Sequence, residues 1–232
     1  MRTLAATLAL TLILSAGLSK AAHADPLASC LPPDAAKAPR AQLQFGTLTC
    51  VSGVMTATAG AKQDGRVGKA AAILPFGRRA GRGTTVTARA EVFIPGGAPV
   101  NSIHLMDLEC KTCGLSGNPG LRLYLRDGRL RIDRAKIGER HAWVNDTAPR
   151  LPVDRWVTLE WTLGLSDQPD GWARVTLDGV PVLQATGRTV PRGPLGHGID
   201  RLQIGVTANS NPTAATVQFR RIGLALSVGA DG

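Results

Sequence analysis

The clearest alternation of apolar and polar residues runs from Gly120 to Asp133 and predicts a β-hairpin. Leucine stands at every second position before the turn, the period of a strand with one buried face. Asp127-Gly128 then supplies the positive φ angles of a two-residue turn. This turn fixes the cross-strand pairs, which are Arg126–Arg129, Leu125–Leu130, Tyr124–Arg131 and Arg122–Asp133. The apolar residues therefore share one face of the hairpin and the polar residues share the other.

Short segments of similar pattern follow one another along the rest of the chain. Together with the hairpin they predict about a dozen strands: 41–48, 49–58, 67–74, 84–95, 101–109, 120–126, 129–133, 153–163, 172–177, 180–185, 200–207 and 216–226. Pro181 cannot donate to a ladder and predicts an edge strand. The phase change at Arg220-Arg221 predicts a β-bulge. With no helical pattern, repeat or linker after the first residues, the sequence predicts an all-β, two-sheet antiparallel sandwich in one domain, 41–228, preceded by an irregular lead-in, 25–40.

The first 24 residues have the organisation of a secretory signal peptide. Arg2 precedes an apolar run from Leu4 to Leu18, which is too short for a membrane span. A small-x-small cleavage site ends at Ala24, so we expect cleavage there and a secreted or periplasmic protein. Leu27 to Cys30 also resembles a lipobox, but Lys20 and further polar residues separate it from the apolar run, which argues against a lipoprotein.

The formal net charge is +10, and removal of Arg2 and Lys20 leaves 10 − 2 = +8. Such a charge favours acidic partners, namely an anionic polysaccharide, a charged envelope surface or nucleic acid. The chain has no basic run and no recognition-helix pattern, and its address is extracytoplasmic. We therefore expect no nucleic-acid partner.

Four cysteines allow three pairings, of which local spacing favours Cys30–Cys50 with Cys110–Cys113. The alternatives for Cys110 and Cys113 are redox or zinc chemistry. A redox pair normally opens a helix, whereas this one leads into Gly114 and a loop. Zinc would need two further ligands, and none follows at the usual spacing. We predict a loop staple.

The order of these elements over residues 41–226 resembles the concanavalin A-like lectin/glucanase jelly roll. The motifs W-x-x-L-x-W at 156–161 and G-W-x-x-V-x-L-D-G at 171–179 are similar to those of laminin G-like modules and related polysaccharide lyases. Segments 200–206 and 219–224 resemble the last two strands of that group. The resemblance implies a jelly-roll β-sandwich and leaves the activity open, because one fold hosts many functions.

The first activity that the resemblance implies is that of an alginate-lyase-type enzyme. Abstraction of the proton α to a uronate carboxylate needs a neutralising cation or amide, a histidine and a tyrosine. The Gln-Ile-His motif of such lyases corresponds to Ser102-Ile103-His104, which lacks the glutamine. Their upstream strand arginine has no counterpart in 69–74, and Thr207 stands where their tyrosine is expected. Tyr124 is the only tyrosine and could form the catalytic pair with His104 if both share a face.

The second activity is that of a laminarinase-type glycoside hydrolase, whose strand carries Glu-x-Asp-x-Glu. Segment 105–109 keeps Asp107 and Glu109 but has Leu105 in place of the nucleophile. Retaining hydrolysis requires two carboxylates about 5 Å apart. We therefore interpret Asp107 and Glu109 as strand-end charges.

The third function is polysaccharide binding. The planar guanidinium of arginine binds carboxylate or sulfate at two points. The hairpin would present an exposed basic and aromatic platform, with Arg89 and His104 on neighbouring strands of the same face and a loop as its rim. The candidate ligand-binding residues are Arg89, Arg122, Tyr124, Arg126, Arg131, His141, Trp143 and Gln203. An ordinary solvated sheet face is the alternative.

By phase, Trp161 and Phe219 belong to the core, whereas Trp156 and Trp172 point outward and either cover a sheet edge or stack on a ligand. No loop gathers three carboxylates, so we predict no metal or cofactor. The leading hypothesis is an exported monomer that binds an anionic polysaccharide. The alternatives are a divergent polysaccharide lyase using His104 and Tyr124, and a structural or protein-binding laminin G-like module with an exposed apolar patch.

Overall fold

The computed structural model describes residues 26–36, 39–114, 117–192 and 198–228, so the predicted signal peptide lies outside the described residues. The described parts contain 13 strands, numbered along the chain: β1 Arg40–Gln44, β2 Gly46–Val51, β3 Val54–Ala59, β4 Gly68–Ala80, β5 Thr84–Phe93, β6 Ile103–Glu109, β7 Gly120–Arg126, β8 Arg129–Asp133, β9 Val157–Gly164, β10 Trp172–Leu177, β11 Val180–Thr186, β12 Ile199–Asn209 and β13 Ala215–Val228. Short 3₁₀ turns, Pro26–Cys30 and Ala135–Ile137, and one helical turn, α1 (Pro33–Ala36), accompany them. None of the described helices is long and apolar enough to cross a membrane.

The strands form two antiparallel sheets, which confirms the predicted jelly-roll sandwich. The six-stranded sheet has the order β1-β4-β12-β6-β7-β8, and the seven-stranded sheet has the order β11-β10-β9-β5-β13-β3-β2. Alternate side chains of both sheets point between them and form one core. Each sheet therefore also has an outer face, made of the intervening residues.

The hairpin of β7 and β8 has the predicted register at all four cross-strand pairs. Asp127 and Gly128 have φ angles of 53° and 75°, as the two-residue turn requires. Its leucines are buried in the core. The register places Arg122, Tyr124 and Arg126 on the outer face of the six-stranded sheet.

The core, the edge strand and the bulge at Arg220-Arg221 also follow the sequence pattern. Trp161 and Phe219 are fully buried between the sheets. Pro181 lies in β11, at the edge of the seven-stranded sheet. Arg221 has a φ of 52°, and the pairing of β13 with β5 skips from Arg220 to Gly223. These observations confirm the corresponding predictions.

Both predicted disulfides are present. Cys30–Cys50 joins the first 3₁₀ turn to β2, and Cys110–Cys113 closes the turn that follows β6. The lead-in is not wholly irregular, because residues 26–36 include the two short helical turns. The disulfide therefore fixes a partly helical segment to the edge of the seven-stranded sheet.

We expect Trp161→Ala to lower the free energy of unfolding by about 3–5 kcal/mol, because it leaves a cavity between the sheets. Trp172→Ala is a matched control on the same sheet: its side chain is 40% exposed, against 0% for Trp161, and we expect a loss of about 1 kcal/mol or less. Urea unfolding followed by circular dichroism measures both values. Equal losses in the two variants would contradict the assignment of Trp161 to the core.

Candidate functional site

A bulge in β6 brings three polar side chains to the outer face of the six-stranded sheet. His104 faces Tyr124 on β7, but the next pair is Met106 with Leu123, so β6 contains one extra residue. Leu105 and Met106 are both fully buried. Beyond the bulge the outward positions become odd-numbered. Asp107 and Glu109 therefore share the face of His104.

Asp107 and Glu109 are only 6% and 2% exposed. Both carboxylates stand at the end of β6, as predicted, but they are buried under the outer face and paired with other polar side chains. Glu109 accepts a hydrogen bond of 2.7 Å from Gln203 on β12 and lies 2.5 Å from the ammonium of Lys136. Asp107 accepts a hydrogen bond of 2.8 Å from the hydroxyl of Thr207, also on β12.

Gln203 is 4% exposed, and its amide is engaged with Glu109. This position does not fit the predicted direct contact with a ligand, because the side chain lies in the floor of the outer face. The sequence pattern indicates no role for Lys136, and it marks Thr207 only as a departure from the tyrosine of alginate lyases. The available signal was two carboxylates placed between apolar residues of one strand, where an unpaired charge would be costly.

His104, Tyr124 and Arg122 meet at the centre of this face and are called the His104 site below. The ring centroids of His104 and Tyr124 are 5.5 Å apart, with the planes inclined by 43°. Arg122 follows on β7, facing Asp107, and its guanidinium lies 2.5 Å from the carboxylate of Asp133. All three side chains of the site are half-buried. The condition for a histidine–tyrosine pair, a shared face, is therefore met.

Burial shifts the protonation of the two titratable groups on β6 in opposite senses. Burial, assisted by the positive charge of Arg122, lowers the pKa of His104 to about 4. Burial, assisted by the negative charge of Glu109, raises the pKa of Asp107 to about 7. The Nδ1 atom of His104 is buried without a hydrogen-bond partner among the described residues. At neutral pH the imidazole is uncharged and can accept a proton.

Fewer arginines of the hairpin are free to bind a ligand than the sequence predicts. Arg131 forms an ion pair of 2.9 Å with Asp146, and Arg129 donates to the carbonyl of Ala148 at 2.9 Å. Both partners belong to the segment after the hairpin, which folds back along β8. Arg126 is exposed beside the turn. Arg126 is thus the exposed arginine of the predicted platform, whereas Arg122 and Arg131 are each ion-paired, with side chains 20% and 21% exposed.

Two more predicted ligand-binding residues lie in this returning segment. Trp143 pairs through its backbone with Ile132 and extends the edge of the sheet beyond β8. The guanidinium of Arg134 lies 4.1 Å from the centroid of its ring, so one face of the indole is occupied. His141 is exposed on the same segment. These positions are compatible with the predicted rim, and ligand contacts there stay a prediction.

Arg89 does not share this face. It lies on β5, in the seven-stranded sheet, opposite Glu160 on β9. The expectation that Arg89 and His104 occupy neighbouring strands is wrong, because the two strands belong to different sheets. Arg89 points to the outer face on the other side of the sandwich.

Comparison with known proteins identifies the fold. No protein-family model matches the sequence, and no curated protein matches it. An endo-β-1,4-glucuronan lyase from the fungus Trichoderma reesei superposes with a TM-score of 0.61 at 12% identity, over 80% of this chain and 90% of that one. The cellulose-induced protein Cip1 gives 0.57 at 17%, over 81% and 90%.

A third similar structure is alginate lyase vAL-1 from Chlorella virus, with a TM-score of 0.52 at 13% identity, over 80% of this chain and 90% of that one. At such identities the similarity concerns the fold. It agrees with the two antiparallel sheets described above. The chain therefore has the jelly-roll sandwich fold of these structures.

The opposite pKa shifts predict that His104 and Asp107 have opposite effects on the change of the free energy of unfolding with pH. The unfolded chain protonates His104 near its ordinary pKa of 6.5, and the folded protein does so only near 4, so this group makes stability rise with pH between 4 and 6.5. Asp107 keeps its proton up to about 7 when folded and loses it near 3.8 when unfolded, so its contribution falls with rising pH in that window.

As the pH rises from 4 to 6.5, we expect the free energy of unfolding of Asp107→Asn to increase relative to that of the native protein. That of His104→Gln should decrease relative to the native protein, and each change should reach about 3 kcal/mol across the window. The native curve should be flatter than either. Urea unfolding at closely spaced pH values provides the measurement. Three parallel curves would show that neither group has a perturbed pKa in the folded state.

Proposed function

We propose that this protein binds a uronate-containing polysaccharide on the outer face of the six-stranded sheet. The observation that carries the proposal is the convergence of His104, Tyr124 and Arg122 at solvent on adjacent strands. Two proteins of the same fold are named as lyases of polysaccharides, glucuronan and alginate. The two disulfides fit an exported protein, which would meet such polymers outside the cytoplasm.

Each side chain supplies a different part of the recognition. The guanidinium of Arg122 has five N–H donors; Nη2 contacts Asp133 and Nε is buried, so the N–H groups of Nη1 are the ones that can bind a carboxylate. The phenol of Tyr124 and the neutral imidazole of His104 can exchange hydrogen bonds with sugar hydroxyls. The net charge of +10, of which +8 would remain after removal of the predicted signal peptide, draws a polyanion to the protein.

A second candidate function is cleavage of the bound chain by β-elimination. The specific observation in its favour is the neutral, half-buried His104 beside the hydroxyl-bearing ring of Tyr124. His104 would take the proton on the carbon α to the carboxylate while Arg122 neutralises that carboxylate. The adjacent bond to the glycosidic oxygen would break, a carbon–carbon double bond would form, and Tyr124 would protonate the leaving oxygen. The third interpretation, a structural or protein-binding laminin G-like module, stays a prediction.

Binding is tested with Arg122→Ala, using isothermal titration of the purified protein with polyglucuronate and with alginate. We expect the affinity to fall about tenfold, equivalent to about 1.4 kcal/mol, and the loss to shrink at high salt. Arg66→Ala is the matched control, since it removes the same charge from an exposed turn between β3 and β4. Equal affinities of the two variants for both polymers would refute binding at the His104 site.

Cleavage is tested with the same polymers by following the ultraviolet absorbance of newly formed unsaturated sugar ends. A lyase should lose at least about a hundredfold in rate in His104→Ala and in Tyr124→Phe. Its rate should rise with pH through about 4, where His104 loses its proton, and show no later step from this group. Absence of unsaturated ends, with binding that depends on Arg122, would assign the protein to recognition alone.

A further inference from the structure

The outer face of the seven-stranded sheet carries an exposed tryptophan in a position that the fold fixes. Trp172 opens β10 and pairs with Gly164 at the end of β9. A Cβ atom at position 164 would lie 2.1 to 2.6 Å from three atoms of the indole, so the ring rests directly on the glycine. The side chain nevertheless remains 40% exposed. Trp172 therefore presents an exposed aromatic ring with a defined orientation. The ring can lie against the neighbouring strand because Gly164 has no side chain there.

Two depressions meet at this ring. One has a volume of about 410 Å³ and includes Arg89, Glu160, Thr162 and Arg174 in its lining. The other has a volume of about 230 Å³ and includes Arg82, Thr85 and Asp170. Trp172 lines both. The two depressions and the indole together form one surface across the end of the sheet, called the Trp172 surface below.

The chemistry of the Trp172 surface is mixed rather than apolar. Thr158, Thr162 and Thr176 line the larger depression beside two guanidinium groups. Arg89 and Arg174 are exposed, and within the described parts of the chain neither forms an ion pair or a side-chain hydrogen bond. Arg82, by contrast, is engaged with Asp170 at 3.0 Å. Two uncommitted cations and a row of hydroxyls thus flank one aromatic face.

This combination matches a sugar carrying a carboxylate better than it matches an apolar protein segment. The face of a pyranose ring can stack on the indole, its hydroxyls can bond to the threonines, and its carboxylate can bind a guanidinium at two points. An apolar partner would leave Arg89 and Arg174 desolvated without a counter-charge, which is costly. The single acidic residue lining the larger depression, Glu160, leaves a net positive charge there.

We propose that the Trp172 surface is a second polysaccharide-binding site, in which a sugar ring stacks on Trp172 and its carboxylate binds Arg174 or Arg89. The site rests on its own residues, whereas the choice of a uronate as ligand rests on the proposed function. The two sites lie on opposite outer faces of the sandwich, so one polymer chain could not bind both without wrapping around an edge. The protein would hold a polysaccharide on one face while the His104 site engages another segment or another chain.

The test uses the full protein, with polyglucuronate as the probe and titration calorimetry as the first measurement. We expect Trp172→Ala to weaken polymer binding about tenfold and Trp172→Phe, which keeps a ring, to retain most of it. Arg174→Ala should weaken binding in a salt-sensitive manner, while Arg66→Ala should bind as the native protein does. Native-like binding by both Trp172→Ala and Arg174→Ala would overturn the proposal.

A second measurement separates this proposal from the first one. In Arg122→Ala the His104 site is weakened, and polyglucuronate can still protect Trp172 or the rim residue Trp143 from acrylamide; the share of this protection that Trp172→Phe and Arg174→Ala remove reports the Trp172 surface. Protection that persists in Arg122→Ala and is smaller in Arg122→Ala/Trp172→Phe/Arg174→Ala supports the second site even if the His104 site binds nothing. Equal protection of tryptophan fluorescence in these two variants contradicts it. Equal affinity for a neutral β-1,4-glucan, unaffected by Arg174→Ala, would overturn the carboxylate contact.

Discussion

The one-residue bulge in β6 is the constraint on which the outer face of the six-stranded sheet depends. A regular strand would place His104 and Asp107 on opposite faces, because side chains alternate. Leu105 and Met106 instead both enter the core opposite Leu123, and the polar residues on either side emerge together. Burial of two large apolar side chains stabilises this irregularity, by about 1.5–3 kcal/mol for each side chain. The functional arrangement is thus maintained by core packing on the other side of the same strand.

The two buried carboxylates of β6, Glu109 and Asp107, are stabilised by different partners. Glu109 is compensated, since the ammonium of Lys136 and the amide of Gln203 occupy its two oxygens. Asp107 has a hydroxyl of Thr207 as its partner and no ion pair within the part of the chain that the structure describes, and the proximity of Glu109 adds repulsion. Its pKa rises accordingly, and the group is partly protonated near neutrality. Two carboxylates two residues apart therefore differ in their partners: Glu109 contacts an ammonium and an amide, and Asp107 contacts a hydroxyl.

Much of the fold was accessible from the sequence because it depends on local patterns. Asp127-Gly128 fixes the turn of the hairpin and with it four cross-strand pairs. The missing N–H of Pro181 predicts an edge strand, and the change of hydrophobic phase at Arg220-Arg221 predicts a bulge. The β6 bulge leaves a phase change of the same kind, since the polar residues are even-numbered up to His104 and odd-numbered from Asp107, but the prediction of one regular strand over 101–109 overlooked it. Arg89 was assigned to the wrong face because sheet order depends on contacts between strands distant in sequence.

The same limit applies to the candidate site. The shared face of His104 and Tyr124 was foreseen as a possibility, whereas the roles of Lys136 and Thr207 depend on tertiary neighbours that no spacing reveals. Gln203 is predicted to contact the ligand but lies in the floor of the outer face. The burial of an outward-pointing side chain depends on which neighbouring side chains cover it, and the sequence does not show this. Trp172 could be predicted to point outward, but the missing side chain of Gly164, which holds its ring, could be recognised only once β9 and β10 were paired.

The Cys110–Cys113 turn joins the two central strands at the end nearest Glu109. Its backbone amides at Lys111 and Thr112 donate to the carboxylate of Asp200 at 3.1 and 2.8 Å, so the turn after β6 is anchored to the start of β12. These two strands carry Glu109 and Gln203, whose contact forms the floor of the outer face. A disulfide-closed turn, its two backbone amides and one carboxylate thus link the ends of β6 and β12 beside a hydrogen bond that neither cysteine touches.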